Sequence, residues 1–481
     1  MPYETTTPEQ MEAILASAED AARELLRSTR EQRAGYLRAA ADALDAAADL
    51  LVPIAQRETS LPEPRLRGEL KRTTFQLRLF AEVVTDGRYL DARIDRADPE
   101  WPMGAPRPDL RRTQFPLGPV AVFSASNFPF AFSVAGGDSA SALAAGCPVV
   151  VKAHSGHLEL SAETARIVST ALHAAGAPQG IFAIVFGTEA GRSLILDPRI
   201  KAAGFTGSIA GGRALFDLAQ SRAEPIPFFG ELGSNNPVFV TEAADRERGE
   251  QIAEQFVASF TLGSGQFCTK PGALFVPRGS RILEALRRID LPAGAPMLND
   301  RIREGYLSSV DELRSHGAAP LVSGSEPEGA APSPALYLST AEAVLADPHA
   351  MLAECFGPSS LVVEYEREDQ LPLLAAALEG QLTATVHAEA GCQVRALVDT
   401  LIVKAGRVLW NEWPTGVSVT HAQQHGGPYP ASTSSSSTSV GTAAIARFLR
   451  PVAFQGFPQE LLPDELRERP LRPVPRMVDG Q

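Results

Sequence analysis

The chain has little of what marks a disulfide-stapled or zinc-binding protein. It has four cysteines in 481 residues, and no two of them form a Cys-x-x-Cys pair: Cys147, Cys268, Cys355 and Cys392. This scatter excludes a disulfide framework and a zinc knuckle, and it is typical of a reducing compartment. The N-terminal sequence MPYETTTPEQ also lacks the basic-then-apolar pattern of a signal peptide. We therefore expect a cytoplasmic protein, and we predict no metal site.

Long apolar runs and an excess of positive charge are also missing. The most apolar region, residues 119–134, is interrupted by Ser124, Ser126 and Asn127, so nothing approaches the roughly 20 apolar residues of a membrane helix. The 44 basic and 57 acidic residues give a net charge of −13. We therefore expect neither a membrane nor a nucleic acid as a partner, and an anionic ligand would need a local positive site.

The residues that are present favour a multidomain α/β protein. A chain of this length usually forms roughly two or three packed units. Helical spacing occurs in residues 40–51 and 66–84, whereas residues 86–114 are rich in Asp, Arg and Pro and suggest a hairpin or arm. Short buried strands then alternate with helices: residues 119–125, 147–153, 181–187 and 200–208. This alternation predicts a doubly wound parallel sheet.

Ligands bind at the carboxyl ends of the strands in such sheets, so the residues after each strand are candidates. They are Asn127, Lys152, Gly187, Gly207 and Ser208. The pattern restarts after Pro225 with further strands, which indicates a second α/β unit: residues 236–241, 273–277, 361–366, 382–388 and 406–411. By composition alone, the Ser/Thr-rich stretch 430–441 is typical of a flexible loop, and the tail after residue 457 is expected to be irregular.

Three side chains could carry covalent chemistry. Cys268 lies in TLGSGQFCTKPG, where glycines allow close approach to a substrate, although most free cysteines are buried and inert. Glu231 follows the apolar IPFFG, so we expect desolvation to raise its pKa and make it a general base; a capping Glu is the alternative. Asn127 in SASNFPF could donate to an oxyanion, although a turn-forming Asn is the more common interpretation.

Two further segments suit a dinucleotide. GFTGSIAGGRAL (204–215) is a glycine-rich turn that opens a helix after a strand, which is where a pyrophosphate binds, although it is not GxGxxG. Lys152 ends the strand VVVK, where it could reach ribose hydroxyls or a phosphate; a solvated Lys is the alternative.

Taken in order, the segments NFP, VKxxS, FTGS, ELG, GQxC and ECFGP resemble the aldehyde dehydrogenase superfamily over roughly residues 10–456. The resemblance implies the aldehyde dehydrogenase fold, with a doubly wound cofactor-binding domain, an α/β catalytic domain and a small β oligomerisation arm. The implied boundaries are 1–85 and 115–230 for the dinucleotide-binding domain, 231–430 for the catalytic domain, and 86–114 and 431–481 for the oligomerisation or bridging elements. It also implies a homodimer or homotetramer.

The resemblance assigns roles position by position. Cys268 matches the nucleophile, Glu231 the general base, and Asn127 the oxyanion donor. The implied reaction is NAD(P)-dependent oxidation of an aldehyde to a carboxylic acid, without acylation of coenzyme A, through a Cys268 thiohemiacetal and thioester. The cofactor-binding residues that the resemblance implies are Lys152, Gly207, Ser208, Glu354 and Phe356. We add Gly187, because it follows a strand, and Ser155, which departs from the family pattern.

Two departures refine these expectations. Ser155 replaces the carboxylate that binds the ribose 2′-hydroxyl in many relatives, so we expect NADP to be the cofactor, with NAD also accepted. The segments NFPFAFSVAGGDSASALAAGCPVVVKAH, WPTGV and HGGPYPAST resemble α-ketoglutaric semialdehyde dehydrogenases. The implied reaction is 2,5-dioxopentanoate to 2-oxoglutarate, and NADP-dependent oxidation of fatty or other aliphatic aldehydes is the alternative. Within this subgroup, the Ser-rich stretch is expected to be ordered.

The sequence alone leaves the roles of several residues open. Arg111, Arg112 and Thr415 are candidates for the carboxylate of the substrate, and Phe128 and Trp413 could wall its pocket or pack in a core. A Cys-dependent hydrolase without redox cofactor is a remote alternative. It would need His421 or His425 to fold beside Cys268.

Overall fold

The structure is a computed structural model that describes residues 3–325 and 331–481. Residues 1 and 2 of the predicted first domain and 326–330 of the predicted second domain lie outside the described residues. Across the described ranges, no helix has the length and hydropathy that crossing a membrane requires.

Four helices open the chain: α1 Pro8–Leu25, α2 Arg30–Ala46, α3 Ala48–Thr59 and α4 Glu63–Asp86. The single helix predicted over residues 40–51 is wrong, because the backbone leaves the helical region at Ala47 (φ −94°, ψ 6°) between α2 and α3. An alanine-rich sequence contains no residue that marks such a break. Helices α2, α3 and α4 share one apolar core with the first sheet, and α4 leads from this core towards the site described below.

A five-stranded parallel sheet follows, in the order β5-β4-β3-β6-β7. Its strands are β3 Val120–Phe123, β4 Val149–Lys152, β5 Phe182–Val185, β6 Ala202–Thr206 and β7 Phe228–Glu231. Its helices are α5 Gly137–Ala145, α6 Leu158–Ala174, α7 Thr188–Leu196 and α8 Ile209–Ser221. The chain moves outward from β3 to β5 and returns to place β6 beside β3, so the predicted doubly wound sheet is confirmed. Its topological switch point lies between β3 and β6, where a ligand crevice is expected.

A seven-stranded sheet forms the second α/β unit, in the order β10-β11-β12-β9-β8-β13-β14. Only β10 pairs antiparallel among these strands. The strands are β8 Val238–Val240, β9 Ala273–Pro277, β10 Ala319–Ser323, β11 Ala335–Thr340, β12 Ser359–Tyr365, β13 Gln381–His387 and β14 Ala405–Trp410. The helices are α9 Glu242–Thr261, α10 Arg281–Leu286, α11 Asp300–Ser315, α12 Ala341–Ala346, α13 Pro348–Met351, α14 Leu371–Ala377 and α15 Arg395–Ile402.

A four-stranded sheet, in the order β15-β2-β1-β16, completes the fold. Its strands are β1 Ala92–Asp95, β2 Leu110–Pro116, β15 Leu449–Gln455 and β16 Arg476–Val478. The wholly irregular tail expected after residue 457 is wrong, because β16 pairs in parallel with β1. Arg96 and Arg107 fix this end of the chain through ion pairs to Asp479, with N–O distances of 2.8 and 2.9 Å.

This sheet also removes two candidate ligands for the substrate. Arg111 lies on β2, donates to Asp109 and Glu468, and binds the Leu466 carbonyl at 2.6 Å. Arg112 pairs with Asp91. Both guanidinium groups are therefore occupied within the arm, and the suggestion that they bind a substrate carboxylate is wrong.

Candidate active site

A cavity of about 930 Å³ opens at the carboxyl ends of the first sheet. Residues from both α/β units line it. They include residues that follow β3, β4, β6 and β7, and residues from the loop that precedes β9: Asn127, Lys152, Gly207, Glu231 and Cys268. The strand order therefore brings side chains that are far apart in sequence to one crevice, as expected for a sheet with a switch point.

The loop that carries Cys268 is held in an unusual backbone conformation. Gly263, Ser264 and Gly265 have φ values of 58°, 55° and 64°. A Cβ atom at position 265 would lie 2.1 Å from the Gly357 carbonyl oxygen, so only glycine fits there. The buried Asn236 amide donates to the Cys268 carbonyl at 2.8 Å. These contacts fix where the thiol enters the cavity.

Cys268, His425 and Glu231 form one hydrogen-bonded cluster. Sγ of Cys268 lies 3.5 Å from Nε2 of His425, and this same nitrogen lies 3.1 Å from Oε2 of Glu231. Glu231 is the last residue of β7 and is 3% exposed, and His425 is 1% exposed. A thiol, an imidazole and a carboxylate are therefore within proton-transfer distance and away from bulk water.

The pKa of Glu231 in this cluster differs from the one expected from the sequence. Burial raises the pKa of Glu231, but His425, the Ser439 hydroxyl and Cys268 together bring that pKa below its ordinary value. The expected raised pKa is therefore wrong, because the sequence did not reveal these hydrogen-bond partners. The pKa of Cys268 is raised well above its usual value, first by burial and then by the Glu231 charge. At neutral pH the resting pair is a thiol and a carboxylate ready to accept a proton.

The Ser/Thr-rich stretch positions this cluster. The Ser439 hydroxyl donates to Glu231 Oε2 at 3.1 Å and to the His425 carbonyl at 3.1 Å, and Thr438 Oγ1 accepts from the His425 N–H at 2.9 Å. Leu232 N–H donates to the Ala431 carbonyl at 2.9 Å, which holds the start of the stretch beside the end of β7. Residues 431–439 thus lie at the site, although the predicted boundary places them with the oligomerisation elements.

Asn127 lies beside the nucleophile loop. Its Nδ2 donates to the Gln266 carbonyl at 3.0 Å, and its own carbonyl accepts from Arg65 at 2.7 Å. Three and four residues further along the chain, the backbone N–H groups of Phe130 and Ala131 donate to the buried carboxylate of Glu69 at 2.8 and 2.9 Å. Helix α4 therefore holds the loop that carries Asn127 through two charged side chains, Arg65 and Glu69.

Six of the seven predicted cofactor residues line the cavity: Lys152, Ser155, Gly207, Ser208, Glu354 and Phe356. Ser208 is the N-cap of α8, and its hydroxyl accepts from Gly211 N–H at 3.2 Å. Burial raises the pKa of Glu354 to about 7, against the opposing charge of Lys270. The helix N-terminus and the neighbouring Lys152 suit a pyrophosphate and a ribose.

Gly187 is the exception. Within the described chain it is not among the residues that line the cavity, where its neighbour Thr188 is found instead. A Cβ at position 187 would lie 2.6 Å from the Thr5 side chain, so this glycine (φ 98°) makes room for the N-terminal segment. The residue after β5 that lines the cavity is therefore Thr188, one position beyond the predicted Gly187.

Sequence reasoning missed two arginines that line the same cavity, Arg192 and Arg301. They accompany Lys152 and Ser155, and so supply the local positive charge that the acidic chain otherwise lacks. His154 also lines the cavity, and burial lowers its pKa to about 3, so its ring is neutral. Its Nδ1 accepts from Gly156 N–H at 3.0 Å. No sequence motif marks the arginines, because they come from α7 and α11 rather than from strand ends.

Of the suggested pocket walls, Phe128 lines the cavity. Trp413 packs on His387 and Phe256, and its indole donates to Gln255 at 2.9 Å. Trp413 is therefore a packing residue. Thr415 bonds the Ser259 hydroxyl at 2.7 Å, which occupies the side chain considered for the substrate.

The cluster also presents a set of metal donors, although no metal site was predicted. A ligand atom from each of Glu231, Cys268 and His425 lies within 4.8 Å of the others. Zinc accepts sulfur, imidazole nitrogen and carboxylate oxygen. A metal held there would occupy the thiol, so the set is better suited to proton transfer than to a resident ion.

Comparison with known proteins decides between the candidate families. The model of the aldehyde dehydrogenase family matches residues 2–451. The chain belongs to the aldehyde dehydrogenase family. This aldehyde dehydrogenase is 43% identical to the α-ketoglutaric semialdehyde dehydrogenase of Acinetobacter baylyi, over 99% of this chain and 92% of that one. It is 46% identical to α-ketoglutaric semialdehyde dehydrogenase 2 of Azospirillum brasilense, over 93% of this chain and 87% of that one.

Solved structures agree on the fold. The 1-pyrroline-5-carboxylate dehydrogenase from Thermus with bound NAD superposes with a TM-score of 0.77 at 21% identity, over 93% of this chain and 85% of that one. Proline utilization A from Bradyrhizobium japonicum superposes with a TM-score of 0.78 at 24% identity; 94% of this chain spans 45% of that longer protein. These structures confirm the predicted aldehyde dehydrogenase fold, and the family match together with the two relatives above 40% identity confirms the NAD(P)-dependent enzyme class.

The cluster generates a prediction for thiol reactivity. Since the Glu231 charge raises the pKa of Cys268, Glu231→Gln should lower that pKa and speed alkylation by iodoacetamide at pH 7 several-fold. The rate should be read from the mass of the Cys268 peptide across a pH series. The peptide with Cys392 in the same digest serves as the internal control. Unchanged or slower alkylation of Cys268 in the variant would contradict this electrostatic account.

Proposed function

We propose that this aldehyde dehydrogenase oxidises 2,5-dioxopentanoate to 2-oxoglutarate, with NADP as the preferred cofactor and NAD also accepted. The observation that carries the proposal is the Cys268–His425–Glu231 cluster beside a cavity of dinucleotide size. The substrate rests on the relatives at 43% and 46% identity, whose names specify α-ketoglutaric semialdehyde. NADP-dependent oxidation of fatty or other aliphatic aldehydes is the second candidate.

The residues of the cavity fit the cofactor. All of the following residues line the cavity: Lys152 and Ser155 would contact the adenosine ribose and a 2′-phosphate, Gly207 and Ser208 would contact the pyrophosphate, and Glu354 would hold the nicotinamide ribose. Because Ser155 carries no charge, the cations Lys152, Arg192 and Arg301 are left to attract a phosphate. When bound, the nicotinamide ring supplies the acceptor for the hydride that leaves the aldehyde carbon.

The protein supplies the proton transfers. As Cys268 Sγ bonds to the aldehyde carbon, the thiol proton passes directly to the carboxylate of Glu231, with which the thiol shares a hydrogen bond. Nε2 of His425, 3.1 Å from the same carboxylate, holds it in place. An amide carries two N–H bonds, so Asn127 can hold the Gln266 carbonyl with one and donate to the oxyanion with the other. Glu231 then gives up the proton from the thiol to solvent, so that its carboxylate is free again when oxidation has left a Cys268 thioester. Glu231 takes a proton from water, the hydroxide adds to the thioester carbon, and the departing Cys268 thiolate recovers the proton from Glu231 as the acid is released.

The Cys–His pair required by the rival hydrolase is present, since His425 lies beside Cys268. His421 is exposed and bonds the Thr442 hydroxyl at 3.2 Å. Family membership nevertheless places the chain among NAD(P)-dependent dehydrogenases. We also propose a homodimer or homotetramer built through the four-stranded sheet, located in the cytoplasm, where its four scattered cysteines stay reduced.

The substrate assignment predicts a ranking of kcat/KM. Among 2,5-dioxopentanoate, succinic semialdehyde, propanal, pentanal and decanal, the dioxo acid should rank first with NADP, followed in absorbance at the reduced-nicotinamide wavelength. Cys268→Ala should abolish this turnover while NADPH still binds, as read from its fluorescence. A higher value for decanal than for the dioxo acid would favour the second candidate. Turnover retained by Cys268→Ala would remove the thiol from the mechanism.

The cofactor assignment predicts a switch at position 155. Ser155→Glu should raise the KM for NADP by about 10-fold or more, because a carboxylate would repel the 2′-phosphate within a partly buried cavity. The KM for NAD should change little. Ser221→Glu, which adds the same charge on an exposed turn at the end of α8, is the matched control. An equal rise for both cofactors would show that Ser155 does not face the 2′ position.

A further inference from the structure

Three arginines lie near the nucleophile, behind the residues that line the cofactor cavity. Arg65 and Arg72 lie on α4, and Arg407 lies on β14. Arg65 packs on the ring of Phe267, which precedes Cys268. Arg407 donates to the carbonyl of Gly416, whose N–H donates to Thr269, the residue after Cys268. Positive charge is therefore concentrated close to Cys268, although the protein as a whole carries a net charge of −13.

Two of these arginines are committed to holding the backbone. Arg65 donates to the Asn127 carbonyl at 2.7 Å and stacks on Phe128 and Phe267, with distances of 4.9 and 4.6 Å to the ring centroids. Arg407 donates through Nη2 to the carbonyls of Pro414 and Gly416, at 2.7 and 3.2 Å. Substituting either residue would disturb the loops that form the site.

Arg72 differs, because it has no short hydrogen bond among the described residues, whereas Arg65 and Arg407 each make one at 2.7 Å in addition to an unpartnered nitrogen. Its contact to the Val417 carbonyl is long, at 3.4 Å. Its Nη1 is buried and has no hydrogen-bond partner among the described residues. A buried guanidinium nitrogen without a partner is costly, and the cost is recovered when an anion binds.

The position of Arg72 relates it to the site through one aromatic ring. Its guanidinium lies 5.2 Å from the ring centroid of Phe132, a residue that lines the cavity. The same ring packs against Phe128 at 5.3 Å and against the catalytic-cluster residue His425 at 6.1 Å. The ring of Phe132 thus separates the guanidinium group of Arg72 from the groups that would act on the aldehyde.

Two carboxylates lie near Arg72 without a hydrogen bond to it. Burial lowers the pKa of Arg72, and the charges of Glu69 and Glu231 oppose that change. Glu69 accepts through Oε1 from the N–H groups of Phe130 and Ala131, and Glu231 accepts from His425 and Ser439. Nη1 of Arg72 therefore remains open to an anion, since the described residues give it no partner.

We propose that Arg72 binds the distal carboxylate of the substrate, so that an oxo acid is held with its aldehyde end at Cys268. This inference rests on the proposed function, and it assigns to Arg72 the selection of an aldehyde that carries a carboxylate. The short chain of 2,5-dioxopentanoate would lie along Phe132, with its charged end paired to the free side of the guanidinium. A bidentate Arg–carboxylate contact gives both affinity and orientation.

The test compares charged and neutral aldehydes in Arg72→Met, which keeps the length and apolar packing of the side chain. The kcat/KM for 2,5-dioxopentanoate should fall about 10- to 100-fold, the loss expected for a hydrogen-bonded charge pair, mostly through KM. The kcat/KM for pentanal should change by less than about threefold. Arg72→Lys, which keeps the charge without the fork, should recover part of the loss. Arg67→Met, on the exposed side of the same helix, is the matched control.

An equal loss for both aldehydes would show that Arg72 is structural and would overturn the proposal. Inhibition by glutarate, measured against pentanal, separates this result from failure of the proposed function. If the wild-type enzyme prefers alkanals, the assigned substrate is wrong, yet glutarate still reports on the carboxylate site. A weaker Ki in Arg72→Met supports the proposal, and an unchanged Ki overturns it.

Discussion

The contact between Glu231 and His425 is the constraint on which the rest of the site depends. Both side chains are almost fully buried, and the carboxylate would be unstable there without donors. His425 and Ser439 supply hydrogen bonds to one carboxylate oxygen, at 3.1 Å each. They keep Glu231 ionised while its charge keeps Cys268 a thiol. Cys268 therefore stays a protonated thiol until a bound substrate and an ordered oxyanion site make formation of the thiolate favourable.

Three distant parts of the chain must converge for this contact to exist. Glu231 is the last residue of strand β7 and lies at the end of the first sheet. The turn at Gly263–Gly265, whose residues have positive φ values, positions Cys268 from the side of the second unit. The segment from His425 to Ser439 then passes between them and bonds to both sides. Packed sheets hold such positions closely, because interiors are dense and resist displacement. The same rigidity lets helix α4 fix the Asn127 loop through Glu69 while presenting Arg72 beside it.

The sequence predicted the fold class, most strands of the two α/β units, and the convergence of Asn127, Glu231 and Cys268, because hydrophobic periodicity and short motifs encode local structure directly. It did not predict strands β10 and β11. It predicted the pKa of Glu231 wrongly and offered Arg111 and Arg112 as candidates for the substrate carboxylate. The pKa of Glu231 depends on Ser439, 208 residues away, and Arg111 pairs with Glu468, 357 residues away. Arg112 pairs with Asp91, which the sequence pattern did not mark as its partner. Only a motif within HGGPYPAST hinted at His425, and nothing in the helical pattern of α4 distinguished Arg72 from its exposed neighbours.

The central claim is that Glu231 serves the hydrolytic half of the reaction on a thioester at Cys268. Its most direct test is rapid mixing of Glu231→Gln with NADP and aldehyde, followed by acid quench and mass measurement of the Cys268 peptide. The account predicts a burst of about one reduced cofactor per subunit, an acyl group on Cys268, and steady turnover slowed roughly 10²- to 10⁴-fold. A variant that loses turnover without accumulating the acyl-enzyme, or that hydrolyses it at the normal rate, would contradict the account.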